Sequence, residues 1–161
     1  ALWSSGDAGY DAANPFRNSL ATYVLPSMDE WYKAAFYDPV TDTYRDYATA
    51  DGSVPTAVAM GTSANTAVFG GQSGPADITL AGGLSAFGVM GLSGNVYEWE
   101  ETSGDLNNSS GSSSRGVRGG NWRVNFDILS SSIRKAGGYP ALGGNGIGFR
   151  VASLSSAAAV P

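Results

Sequence analysis

The clearest periodic stretch of the chain is LPSMDEWYKAAF, residues 25–36, in which Met28, Trp31, Tyr32 and Ala35 recur at helical spacing. Positions i, i+3, i+4 and i+7 share one face of a helix, so this segment predicts a helix with one buried stripe. Ser27 followed three residues later by Glu30 is a capping-box signature, and Asp29 and Glu30 fall in the first turn, where the helix dipole favours anions. Asp38-Pro39 ends the pattern. Residues 37–47, YDPVTDTYRDY, read as a tight turn flanked by aromatic strand ends. Short strands are expected at 95–100, 116–122 and 147–153, with a flexible polar loop at 103–114. Residues 1–24 lack periodicity and read as an irregular N-terminal segment. Residues 48–88 are rich in Gly, Ala, Thr and Ser and also lack it. A structureless loop that long inside a domain is unusual, so something must pin it, and a bound ion is one candidate. The result is an α+β expectation: few short strands and helices, and much loop.

Composition narrows the chemistry. The 161 residues suit one domain with a real core, yet charged residues make up only 14% of them. A net charge of −5 argues against nucleic acid, and the two lysines, Lys33 and Lys135, cannot build a basic membrane-binding stripe. No apolar run approaches the roughly 20 residues of a membrane span. The chain contains neither cysteine nor histidine. That removes thiol nucleophiles, disulfides, Ser-His-Asp triads, His-ligated zinc and facial iron triads. Carboxylate, tyrosine, serine, arginine and backbone oxygens remain, a set that favours hard cations such as calcium. Low charge with abundant Ser, Gly, Asn and Thr suits an exported protein. The opening Ala1-Leu2-Trp3-Ser4 lacks an initiator methionine and a leader pattern, so the chain is expected to be processed or part of something longer.

Three segments in order, GNVYEW at 94–99, RGGNW at 118–122 and GFR at 148–150, follow the LPSxxEW helix start at 25–31. Together they resemble the formylglycine-generating, sulfatase-modifying enzyme family, a variant of the C-type-lectin fold. The resemblance covers residues 25–153, leaves 154–161 as a flexible tail, and implies that an earlier part of the usual domain is missing or lies on another chain. It is nearest to exported bacterial members with a Pro-Glu-Pro sorting tail, although this chain stops at Val160-Pro161. Oxidase members of the family bind copper through two cysteines just after the RGG segment. Aligned on Arg118-Gly119-Gly120, those positions fall at about Val124 and Leu129. The iron-dependent branch needs histidines. Neither copper nor iron is therefore expected here, and the resemblance implies the fold without the oxidase chemistry.

The resemblance also implies calcium sites. The preferred one takes side-chain oxygens from Asn65 and Asp77 and carbonyls from Thr66 and Thr79, and would pin the long loop. A weaker one takes the Gly94 and Val96 carbonyls and the Glu98 carboxylate, but it lacks a side-chain oxygen because Gly91 stands where the family has Asp or Asn.

Glu98, Glu100 and Glu101 are three of the four glutamates in the chain. Glu98 reads as a structural anchor bonded to backbone amides or to Arg118 or Arg150, as a calcium ligand, or as a catalytic acid. Glu98 and Glu100 share one strand face, as a glycosidase pair could, but like charges so close are more often solvated rim residues. The anchor reading is preferred, with Arg118, Arg134 and Arg150 as partner anchors. Trp31, Trp99 and Trp122 are expected in the core. Asp38, Asp42 and Asp46 are expected at turns and rim. The function expected is a non-catalytic exported binding or structural module, calcium-braced, working in a cell-surface or periplasmic assembly. Loops 103–114 and 123–147 would carry its variable surface. Asn121, Arg123, Asn125, Phe126, Asp127 and Tyr139 mix hydrogen-bonding and aromatic groups suited to a protein or polysaccharide partner. The alternative is an enzyme of the same family with cysteine- and histidine-independent chemistry.

Overall fold

The first helix begins where its cap says it should. In the computed structural model, which describes residues 3–108, 110–139, 141 and 143–153, helix α1 runs Met28–Phe36. The Ser27 hydroxyl accepts from the Glu30 amide at 3.3 Å and the Glu30 carboxylate accepts from the Ser27 amide at 2.8 Å, closing the capping box. Its inner face buries Trp31, Ala35 and Phe36, which pack with Ala48 and Leu92 as one core cluster. At Tyr37 the backbone turns extended and passes straight into strand β2, Tyr37–Asp38, which pairs with β3, Thr43–Tyr44. The aromatic turn is thus a short hairpin, with the Tyr37 and Tyr44 rings 5.4 Å apart. Asp38 departs from the rim expectation: it is 3% exposed, accepts from Val40 and Thr41, and pairs with Arg45. A turn this short leaves its first carboxylate facing inward, where the local donors satisfy it.

The long segment from 48 is held mainly by its own backbone. Strand β4, Thr56–Ala57, pairs in parallel with β5, Thr66–Ala67. Single bridges join Gly61 to Ala81, Ala67 to Gly82, Val68 to Gly94 and Leu84 to Met90. Ala67 and Phe69 pack with Leu129 as a second core cluster, flanked by Tyr47 and Val124. Ladder bonds and these inward side chains stabilise a stretch that has no periodicity to read.

The main sheet has four strands in the order β8-β7-β6-β9, where β6 is Tyr97–Ser103, β7 Arg115–Arg118, β8 Lys135–Ala136 and β9 Ile147–Gly148. β6 runs antiparallel to β7 and parallel to β9. It starts later than the sequence pattern suggests because Gly94 and Asn95 both take left-handed φ, 73° and 60°. A β-carbon at Gly94 would also collide with the Val68 carbonyl oxygen, so only glycine fits this crossing. β7 ends early for a related reason, since Gly119 and Gly120 turn the chain with φ of 86° and 74°. The single strand expected at 147–153 is two pieces: β9 joins β6, while β10, Ala152–Ser153, joins β1, Tyr23–Val24. That last pairing ties the N-terminal segment to the far end of the described chain. The tail expected at 154–161 lies outside the described residues. Among the described residues, no helix is long and apolar enough to cross a membrane.

Candidate functional site

β6 is the organising element, and its three glutamates are all buried: Glu98 at 3%, Glu100 at 0% and Glu101 at 8% exposure. The rim expectation for closely spaced acids is overturned, because each one meets its own donors from a different segment. Glu98 accepts from the Trp31 indole at 2.7 Å and from Arg150 at 2.5 and 2.6 Å, which joins α1, β6 and the chain beyond β9. Glu100 accepts from Arg118 and Arg134, each at 2.8 Å. Glu101 accepts from Arg17 at 2.6 Å and from Asn14 at 2.7 Å. Arg17 continues to Glu30 at 2.8 Å and fastens the N-terminal segment to the first turn of α1. That bond holds the Glu30 carboxyl at about 2, well below its ordinary value.

The arginines around Glu100 also satisfy backbone. Arg118 donates to the Ser131 and Ile133 carbonyls, and Arg134 donates to Thr102, Ser103 and Gly104. Burial lowers the Arg118 pKa, and the Glu100 carboxylate opposes that shift. Paired and bonded in this way, every carboxylate oxygen of the three acids already accepts at least one hydrogen bond. This is the geometry of anchors. Glu98 finds Arg150, one of its two expected partners. Arg118 stands opposite Glu98 in register but sends its side chain to Glu100.

The calcium-related residues fall in two places. Asn65 is left-handed at φ 56°, and its amide nitrogen donates to Asp51 at 2.7 Å. Its carbonyl oxygen, Oδ1, is buried with no partner, the kind of orphan a cation would satisfy. The Thr66 carbonyl accepts from the Gly83 amide at 2.8 Å. Asp77 caps the 3-10 turn Ile78–Leu80, accepting from the Thr79 amide at 2.8 Å and the Thr79 hydroxyl at 2.6 Å. No hydrogen bond among the described residues joins Asn65 or Thr66 to Asp77 or Thr79, although the bridges Gly61–Ala81 and Ala67–Gly82 hold the two segments side by side. In the second set, both Glu98 oxygens already carry donors and its charge is matched by Arg150. Gly94 donates to the Gly119 carbonyl at 2.6 Å. Among the described residues no cluster of three or more Asp, Glu, His or Cys could hold a metal.

The surface residues lie around the second 3-10 turn, Phe126–Leu129. Arg123, Asn125, Phe126 and Asp127 are exposed, and Asn121 is half-buried with its carbonyl oxygen accepting from the Arg123 amide. The Arg123 guanidinium lies over the Trp122 ring at 5.0 Å, while Trp122 itself is 3% exposed and belongs to the core. Tyr139 is exposed on the segment after β8.

A family model described as the sulfatase-modifying factor enzyme 1-like domain matches residues 5–154. The chain belongs to this family. The match begins within the irregular N-terminal segment, in keeping with the Arg17–Glu101 and β1–β10 ties. No curated protein matches the chain. Among solved structures it is similar to Treponema denticola variable protein 1, at 21% identity and a TM-score of 0.59, over 91% of this chain and 54% of that one. At this identity the likeness speaks to the fold alone, and the chain spans about half the length of that structure.

Within the family framework, the two positions where the resemblance puts copper-binding cysteines are aliphatic. Leu129 is 1% exposed in the second core cluster, and Val124 packs against it. Sequence reasoning missed Asn14, Arg17 and the Trp31 indole as partners of the β6 acids. Asn14 and Arg17 lie 87 and 84 residues from Glu101, so no local pattern could reveal them. Charge balance was the available signal: three buried acids on one strand demand cations from elsewhere in the chain.

Proposed function

We propose that this chain is a non-catalytic, exported binding or structural module of its family, calcium-braced and part of a cell-surface or periplasmic assembly. The observation that carries the reading is the pair Val124 and Leu129: apolar packing fills the positions where the resemblance puts the reactive cysteines. The acids of β6 support it from the other side, since their oxygens are committed to arginines and amides and hold the fold together. Recognition would fall to the exposed group Arg123, Asn125, Phe126 and Asp127 with Asn121 and Tyr139, toward a protein or polysaccharide partner. Export is supported by the sparse charge and the Gly, Ser and Thr content of the chain.

Calcium would bind through Asn65 Oδ1 and the Thr66 carbonyl on one segment and Asp77 and Thr79 on the other, supplying a cross-brace between them. Titration calorimetry with calcium is expected to show binding by the wild type and none by Asn65→Ala combined with Asp77→Ala. Unchanged binding and melting temperature in the double variant would remove the brace. Incubation with a cysteine-containing sulfatase-type peptide, copper and air is expected to leave the peptide mass unchanged. Formation of a formyl group would overturn the non-catalytic reading.

A further inference from the structure

Arg115, at the start of β7, differs from every other buried or half-buried arginine described. Arg17, Arg45, Arg118, Arg134 and Arg150 each pair with a carboxylate. Arg115 is 9% exposed, yet among the described residues it forms no ion pair, and its Nη1 is buried without a partner. Its guanidinium lies 4.2 Å from the centre of the Phe16 ring, a cation–π contact that supplies no hydrogen bond to Nη1. A buried charge without a bonded counter-ion is costly, and burial lowers the Arg115 pKa while the nearby Glu101 and Asp105 carboxylates oppose that shift.

This arginine lines a cavity of about 290 Å³ shared with Trp3, Phe16, Tyr23, Val24 and Leu25. Exposed Trp3 and Tyr23 contribute apolar wall. The other polar groups lining it are already engaged. Arg17 is shared between Glu101 and Glu30, and Asn14 takes the second Glu101 oxygen. The Asn18 side chain donates to the Ala8 carbonyl and accepts from the Leu20 amide. Glu101, and less strongly Asp105, act on Arg115 only through space, the Asp105 Oδ1 accepting from the Ser103 hydroxyl and the Asn107 amide. Charge is therefore balanced around the cavity, but Arg115 has no hydrogen-bonded partner among the described residues, which leaves a directional contact for a ligand to make.

We propose that this cavity binds a small organic carboxylate with an apolar, preferably aromatic, body, its carboxylate bonded to Arg115 and its body against Phe16, Tyr23 and Trp3. A carboxylate fits the planar fork of a guanidinium, and the volume admits only a compact ligand, at the lower end of ligand-sized cavities. The site shares Glu101 with the acids that support the functional reading above but rests on Arg115, which that reading does not use, so either can fail without the other.

The test compares 3-phenylpropionate with 3-phenylpropionamide, the neutral amide of the same shape, by NMR titration of the isotopically labelled chain. The acid is expected to bind roughly ten- to a hundredfold tighter than the amide, with shifts centred on Phe16, Tyr23 and the Arg115 side chain. Arg115→Met is expected to abolish that preference, and Arg115→Lys to keep part of it. Equal binding of acid and amide by the wild type, or binding of neither, overturns the proposal without recourse to any variant. A preference that survives in folded Arg115→Met places the anion elsewhere and overturns it too.

Discussion

Arg115 and Arg118 stand at the two ends of β7, three residues apart, and both are more than nine-tenths buried. Arg118 reaches Glu100 and two backbone carbonyls, while Arg115 reaches only an aromatic face. The difference separates two uses of a buried charge. Where the partner is built in, the charge fixes the arrangement of strands and loops, and its loss disrupts the fold. Where no partner is built in, the fold carries a desolvation cost that an external ligand can relieve. The β6 glutamates all fall on the paired side, each accepting from at least one arginine.

The sharpest way to break this comparison is at its paired end. Glu100→Gln leaves two arginines without their anion and is expected to cost about 3–5 kcal/mol, measured by urea unfolding. A cost below about 1 kcal/mol would mean that the pairs are not structural. Next in size is the contrast between the arginines themselves. Arg118→Met should lose about 2–3 kcal/mol, because Glu100 keeps only Arg134. Arg115→Met should fall within about 1 kcal/mol of wild type, since removing a buried charge that has no bonded counter-ion offsets the lost cation–π contact. Similar losses for both would erase the distinction.

The smallest effect concerns acid. The folded-state pKa of Glu30 is depressed to about 2 from 4.5, so its pairing with Arg17 adds stability at pH values above 4.5. That contribution is lost as pH falls through about 2. In Glu30→Gln this part of the acid dependence of the melting temperature should flatten, most visibly at low salt because the Glu30 side chain is 43% exposed. An unchanged acid slope would mean that the Arg17–Glu30 contact adds nothing.

Much of the local structure was legible. The α1 capping box, its buried stripe and the aromatic turn all involve groups within a few residues of one another, so spacing alone reveals them. Strand ends were read less well: β6 and β7 are trimmed by left-handed Gly94, Asn95, Gly119 and Gly120, whose conformations answer to neighbours such as Val68 and Leu129. Residues 48–88 were illegible because isolated bridges and short parallel pairs impose no side-chain period. The pairing of Glu98 with Arg150 was readable as one of two options, yet the burial of Glu100 and Glu101 was not, since adjacent acids look solvated until their cations are placed.

By itself the sequence determined the family, the helix and its cap, the α+β character, and the absence of thiol and imidazole chemistry. These follow from residue identity and from interactions a turn or two long. Only the tertiary structure decided which arginine meets which glutamate, across separations of 13 to 84 residues, and that Arg115 pairs with none among the described residues. A charge is indifferent to sequence distance. Its partner is chosen by burial and by the close approach of strands, and both exist only once the chain has folded.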